Sequence, residues 1–228
     1  MLINLSKRLI CLTFGLLIIF SCSPDELPIE IPFYFYDFES DYTNIDSLYV
    51  SSFNGSNVLG PFNNSGFSVH WNNLPDHEYI KLSFDLYIHD SWEGNSNQSD
   101  RTDPDHDAWI IELDPHKQVK PHEKIYFETT FSNGLCIPGW CYSQSFPNEF
   151  PFDNEARTGA ASRKIYGRCL WADTPTGTSV YEIEKVFPHD KRSVVIAFYD
   201  RLKQDLPFDR LCEESWSMDN LRISLIKE

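Results

Sequence analysis

The chain is expected to fold as an all-β protein, an antiparallel β-sandwich or jelly roll of about ten strands. Three observations predict it. The stretch YIKLSFDLYIH puts Ile80, Leu82, Phe84, Leu86 and Ile88 on one face and Lys81, Ser83, Asp85 and His89 on the other, the period-two alternation of a half-buried strand. Seven further runs rich in β-branched and aromatic residues, at 33–38, 66–71, 108–113, 124–131, 179–187, 193–200 and 220–226, are each bounded by Gly, Pro, Asn, Asp or Ser. No window carries an apolar helical stripe over three turns, and short strands separated by turn signals read as a sandwich or jelly roll.

The N-terminus has a different character. Lys7 and Arg8 lead into the apolar run LICLTFGLLIIF and then Ser21-Cys22, the order of a secretory signal. The run is too short for a comfortable membrane span, which takes about 20 apolar residues. The sequence Ile19-Phe20-Ser21-Cys22 resembles the lipobox of bacterial lipoproteins, with Phe20 an untypical filler. The resemblance implies a signal peptide over 1–21, cleavage before Cys22, and acylation of that cysteine with palmitate-type chains that tether the rest to a bilayer without a spanning helix. Residues 22–32, with the acidic and proline-rich SPDELPIEIP, then read as an extended tether, and 33–228 as a single β-sandwich domain. Acidic residues just after the cysteine are similar to those of Bacteroidota lipoproteins exported to the outer face. The expected location is therefore the cell envelope, at the outer membrane of a Gram-negative bacterium.

Loss of residues 1–21 removes Lys7 and Arg8 and no acidic residue, so the formal charge moves from −15 to −17. Such a surface repels phosphate backbones, and no basic stripe is present to bind nucleic acid. Cations are its natural complement. With Cys11 in the signal and Cys22 in the lipobox, Cys136, Cys141, Cys169 and Cys212 remain, an even number in an oxidising compartment. Three disulfide connectivities are possible. The Pro-Gly turn of IPGW favours Cys136–Cys141 with Cys169–Cys212, while the spacings do not match the usual zinc pairs.

Two long stretches, 90–107 and 132–163, lack strand periodicity, and long loops in a compact domain are where binding residues concentrate. The first holds DRTDPDHDAW. Calcium takes six to eight oxygens, and carboxylates at alternate loop positions converge on one ion whose charge cancels their repulsion. Asp103, Asp105 and Asp107 have that spacing, but Ala108 replaces the glycine of an EF-hand and Asp114 stands where its glutamate belongs. The narrower expectation is a structural calcium held by Asp105 and Asp107 together with Asp90, with Asp100 and Asp103 solvated. Among the tryptophans, Trp109 and Trp216 lie in or beside strand patterns and read as core. Trp92, Trp140 and Trp171 lie in loops. Trp140 and Tyr142, on a loop held by a disulfide, are the first candidates for stacking on a sugar ring, with Trp92 behind them.

DSWEGN (90–95), DHDAW (105–109), FPH (187–189) and ESWSMDN (214–220) resemble a β-sandwich module of large bacterial and protist surface proteins, in which D-S-W-D-G-N, a later D-x-W and a closing E-S-W-G-x-D-N recur. The resemblance covers 33–226. It departs at Glu93, at Ser217-Met218 where Gly and an aliphatic residue are usual, and at the cysteine hairpin. The order of features also looks like calcium-stabilised carbohydrate-binding jelly rolls, galactose-binding-like or concanavalin A-like. There a first-strand Phe-Glu and a last-strand Asp hold an ion, here Phe38-Glu39 and Asp219. The resemblance implies a lipid-anchored surface binding module, for carbohydrate or another surface component, with structural calcium. The competing classes are a divergent polysaccharide hydrolase and a structural or assembly subunit. Binding rather than catalysis is expected: Glu112-Leu113-Asp114 resembles half of the E-x-D-x-x-E strand of jelly-roll glucanases, but Pro115, His116 and Lys117 follow in place of the second glutamate. No G-x-S-x-G or H-E-x-x-H occurs, and the seven histidines are scattered. Replacing Cys22 by Ala should abolish metabolic labelling with palmitate in the producing cell; label that persists would place the acyl chain elsewhere.

Overall fold

A computed structural model describes residues 27–40, 49–95, 106–115, 123–134, 136–137, 140–203 and 209–228, the side chains of 136, 137, 140 and 141 excepted. Two antiparallel sheets form the body. The first contains β1 (Ile29–Tyr36), β2 (Val50–Phe53), β3 (Ser56–Phe62), β5 (Tyr79–Asp90), β12 (Ser162–Ile165), β13 (Thr178–Pro188) and β15 (Glu214–Lys227). Its order is β12-β13-β5-β15-β3-β2, and β1 pairs with the far half of β15. The second contains β4 (Gly66–Asn72), β6 (Ala108–Leu113), β7 (Ile125–Thr130) and β14 (Ser193–Arg201), in the order β4-β14-β6-β7. The all-β sandwich expected from the alternation is what forms.

The alternation of β5 maps onto the layers directly. Ile80, Leu82, Phe84, Leu86 and Ile88 are all at most 2 % exposed. Phe84 meets the opposite sheet at Trp109 and Phe198, with ring centroids 5.6 and 5.7 Å away. Trp109 and Trp216 are both fully buried and meet edge to face at 5.8 Å, as expected of core residues. His89 departs from the polar-face reading. It lies on the outer face of β5 but is wholly buried, because Phe53 covers its ring at 4.6 Å and the Thr178 and Ser217 hydroxyls take its two nitrogens.

The β2–β3 hairpin carried no strong periodicity, since Gly60 and Pro61 interrupt it. Gly60 has φ +122, and a Cβ there would stand 2.8 Å from the Trp216 carbonyl oxygen. Its small size lets β3 close on β15 at Trp216 and Met218. The ESWSMDN segment is extended strand through Ser217, so the glycine usual at that point is not needed for a turn.

The stretch 132–163 folds into short pairs rather than an open loop: β8 (Cys136–Ile137) with β9 (Trp140–Cys141), and β10 (Ser143–Gln144) with β11 (Asn154–Glu155). Between them the chain runs along the free edge of β7. Phe146 and Phe150 donate backbone N–H groups to the Thr130 and Glu128 carbonyls, and the Thr129 hydroxyl donates to the Asn148 carbonyl. The edge that would otherwise invite pairing is thereby covered over part of its length.

Cys169 is bonded to Cys212, the latter in the single-turn α1 (Arg210–Glu213) capped by Asp209. The backbones of Cys136 and Cys141 are register partners in the β8–β9 hairpin, while their sulfurs lie outside the described residues. By loop-closure entropy, the 43-residue separation of Cys169 and Cys212 stabilises the fold by about 4 kcal/mol. A Cys169→Ala, Cys212→Ala double variant should therefore unfold at a clearly lower urea midpoint than the parent, and equal midpoints would show that the bridge adds nothing.

Candidate functional site

Three places bring chemistry-bearing side chains together. The first is built from the acidic and tryptophan-containing segments. Asp107 is 2 % exposed; its two carboxylate oxygens accept the backbone N–H groups of Glu93 and Lys203 at 3.0 Å each. Its own N–H donates to the Gly94 carbonyl. Gly94 has φ +67, and a Cβ there would fall 2.3 Å from the Ser143 carbonyl oxygen, so the DSWEGN turn closes only with glycine. Burial raises the Asp107 carboxyl to about 7, against the backbone hydrogen bonds that favour its charge, and the neighbouring Glu93 adds to the rise.

Asp90, the first residue of the same motif, serves another loop. It is fully buried with φ 62, and its carboxylate accepts backbone N–H groups of Cys169 and Trp171. Burial raises its pKa while those N–H groups oppose the rise. The sequence had suggested Asp90 and Asp107 as partners around one ion. In the fold each carboxylate instead takes backbone donors from a different loop: 167–171 for Asp90, and Glu93 with Lys203 for Asp107. Asp100, Asp103 and Asp105 lie outside the described residues.

Trp92 was a candidate for sugar stacking, and the structure corrects this. It is fully buried, donates its indole N–H to the Ser215 carbonyl at 2.9 Å and packs edge-on to Phe131, leaving no ring face open to a ligand. Tyr142 is half-buried over Gly134, where any Cβ would meet its ring carbons at 2.5 to 2.8 Å. The Trp140 side chain and Cys22, the residue expected to be acylated, lie outside the described residues.

The second place joins the first strand to the last. Asp219, in β15, is the register partner of Asp85 in β5, and Glu39 follows the end of β1. The Ser56 hydroxyl reaches both Glu39 at 2.7 Å and Asp219 at 3.2 Å, and Asn220 bonds Asp85 at 2.7 Å. Burial pushes Asp219 up to about 6, and the charges of Asp85 and Glu39 push the same way. The pair named from sequence, Glu39 and Asp219, is thus brought together, with Asp85 as a third carboxylate. Among the described residues no three His, Cys, Asp or Glu side chains form a ready-made metal cage. The mutual repulsion at this rim is nevertheless of the kind a hard, oxygen-seeking cation relieves.

The third place is a shallow groove of about 440 Å³ on the outer face of the second sheet, lined by Ile110 and Glu112 of β6, Lys124, Tyr126 and Glu128 along β7, and Tyr199 and Arg201 of β14. Glu112 accepts from the Tyr199 hydroxyl at 2.8 Å and from Lys124 at 3.3 Å. Glu128 takes Arg201 at 2.6 Å and His106 at 3.0 Å, and the His106 ring stacks on Phe150 with centroids 3.7 Å apart. The His106 hydrogen bond first, and the Arg201 charge with it, hold Glu128 below the usual carboxylate range. Burial and then Glu112 push the Tyr199 phenol upward, so it stays a donor. Tyr126 is 50 % exposed beside these groups.

Only Glu112 of this groove had been singled out from sequence. Its neighbours were visible as the polar positions of alternating strands, but nothing in the chain order says that β6, β7 and β14 lie side by side. Asp114 does not extend the face: with φ 53 it turns away, and its carboxylate accepts the Val195 N–H. No protein-family model matches the chain, and no curated protein matches it.

Asp107 and Asp219 titrate above their ordinary value in the folded state, so between about pH 4 and 7 these two groups bind more protons in the folded chain than in the unfolded one. Stability contributed by these groups is full below the unfolded pKa and is lost as pH rises through the folded one. Asp107→Asn should flatten the fall in urea midpoint between pH 5 and 7, at a cost of about 1 kcal/mol at pH 5 for the altered hydrogen bonds. A slope identical to that of the parent would show that Asp107 does not titrate in this window.

Proposed function

We propose that the protein is a lipid-anchored surface module that binds carbohydrate, through the groove on the outer face of its four-stranded sheet. The observation that carries this reading is the composition of that groove. An exposed tyrosine ring offers a flat apolar surface, and around it stand two carboxylates, a lysine, an arginine and a second tyrosine already held in fixed hydrogen bonds. Sugar recognition needs this mixture, a ring face for the C–H side of a pyranose and rigid donors and acceptors for its hydroxyls. Ion pairs set before the ligand arrives lower the entropy lost on binding.

Structural calcium belongs to the same reading. Glu39, Asp85 and Asp219 would hold it at the junction of the first strand and the last, where it would neutralise their repulsion and tie β1 to β5 and β15. Carbonyl and water oxygens complete such a shell. The lipid anchor at Cys22 and the acidic surface fit a domain displayed at the outer membrane, close to polymers of the cell surface.

A hydrolase is the second reading, favoured by Glu112 and Glu128 lining one groove from adjacent strands. Glycoside hydrolysis needs one of the two carboxyls protonated at working pH. Glu128, held ionised by His106 and Arg201, would be the nucleophile or base in that reading.

A glycan array probed with the purified domain should show binding that Tyr126→Ala weakens at least about tenfold, the loss of a well-placed stacking face. A silent array overturns the carbohydrate reading, and turnover of a bound polysaccharide that Glu112→Gln abolishes would replace it with the hydrolase. For calcium, the melting temperature of the parent should rise when calcium is added and fall with chelator, by mass action on the folded state alone, and Asp219→Asn should lose the shift. A melting temperature that does not move removes the metal from the proposal.

A further inference from the structure

We infer that the ligand is a linear, uncharged polysaccharide chain, bound along a groove that continues from the sheet face around the β7 edge to the end of the sandwich. The inference rests on the carbohydrate reading above and names its substrate class.

Three depressions form this path. The face groove ends at Lys124 and Tyr126, and these two residues also line a second depression of about 390 Å³ between β7 and β13, floored by Phe127, Val186 and Phe187. That depression ends at Ile125 and Pro188, which in turn line a third, of about 460 Å³, with Tyr79, His189 and Lys191. Shared walls set the three side by side, and the inferred chain crosses from one to the next over Lys124 and Tyr126 and then over Ile125 and Pro188. Each alone falls within the ~300–1,000 Å³ of a small-molecule site, so the whole exceeds what a single sugar fills.

Contacts within the walls hold two of their side chains in place. Lys185 stands 3.6 Å from the centroid of the Phe127 ring. At the far end, His77 Nδ1 lies 2.6 Å from the Pro75 carbonyl oxygen and its Nε2 lies 2.7 Å from His189 Nδ1, which fixes the His189 ring against Pro188. Aromatic and aliphatic surface recurs in every section, with Tyr126 and Tyr199 on the face, Val186 at the edge, and Tyr79 and Ile125 at the end. A repeating polymer, presenting the same ring and hydroxyls at each step, matches such a repeat.

The charge of the course decides which polymer. The face contributes Glu112 and Glu128, the edge Glu123 and Glu149, and the end Glu78, Asp190 and Glu228. These seven carboxylates outnumber the four cations Lys124, Arg201, Lys185 and Lys191. The excess is greatest at the end, where Glu78, Asp190 and Glu228 face Lys191 alone, and on a chain of formal charge −15 it disfavours uronic-acid or sulfated polymers on the full path.

The test is calorimetric titration with gluco-, xylo- and manno-oligosaccharides of one to eight residues, and with oligogalacturonates of the same lengths. For the series that binds, affinity should rise about tenfold or more from disaccharide to hexasaccharide, and the oligogalacturonates should not compete. Val186 is 48 % exposed in the middle section. Val186→Arg should bring hexasaccharide affinity down to that of the disaccharide while leaving the disaccharide unchanged. Lys191→Ala, at the far end, provides a second variant with the same expectation in milder form should Val186→Arg melt early. Equal affinities for short and long chains, or hexasaccharide binding that ignores both variants, overturn the continuous groove and leave the face site standing. Preferential binding of oligogalacturonates overturns the charge assignment. Silence of every series overturns this inference together with the carbohydrate reading.

Discussion

Asp107 accepts backbone N–H groups from Glu93 and from Lys203, two positions 110 residues apart in the chain, while its own N–H holds Gly94. One buried side chain therefore ties the turn after β5, the entry to β6 and the exit of β14. Asp90 does the same for the 167–171 loop, and Trp92 reaches the start of β15 through Ser215. Buried backbone donors that lack a partner cost about 1–3 kcal/mol each, so loops at this end of the sandwich can pass through the interior only because these acceptors are there. The carboxyls are raised in pKa as a result, the electrostatic signature of charge held where water is excluded.

This knot accounts for the recurrence of D-S-W, D-x-W and E-S-W along the chain. The three segments are structural partners of one another, and the fold needs them whatever the domain binds. Chemistry available to a ligand lies on the other side of β6, where Glu112 and Ile110 face outward while Trp109 and Ile111 face the core. A single strand thus serves both purposes, with alternate residues assigned to stability and to the groove.

Legibility in the sequence followed the same division. The alternation of β5 and the β-branched runs marked β4, β5, β6, β7, β13 and β14 at nearly their observed bounds, because a half-buried strand must alternate to bury one face, while β1 and β15 begin four and six residues before the runs that announced them. Trp109 and Trp216 were recognised as core for the same reason. Trp92 was not, since its segment has no period and its burial comes from β15, more than a hundred residues later. The acidic spacing of Asp103, Asp105 and Asp107 pointed to an ion, yet Asp107 proved to be a hydrogen-bond acceptor for backbone. Carboxylate spacing alone does not distinguish a cation from an N–H group as the partner. Glu39 and Asp219, named together from the resemblance, lie within reach of one hydroxyl, that of Ser56, whereas Asp85 entered only through the register of β5 with β15.

Local sequence by itself determined which residues alternate and that the chain is β-rich, because these depend on neighbours one or two residues away; that Gly60 and Gly94 must be glycine was decided by the distant carbonyls of Trp216 and Ser143. The tertiary structure alone decided which strands are adjacent, and therefore that Glu112, Tyr126, Glu128, Tyr199 and Arg201 share one face and that Asp90 and Asp107 serve different loops. Those relations join residues far apart in the chain, and pairing across a sheet leaves no mark in the composition or period of either strand.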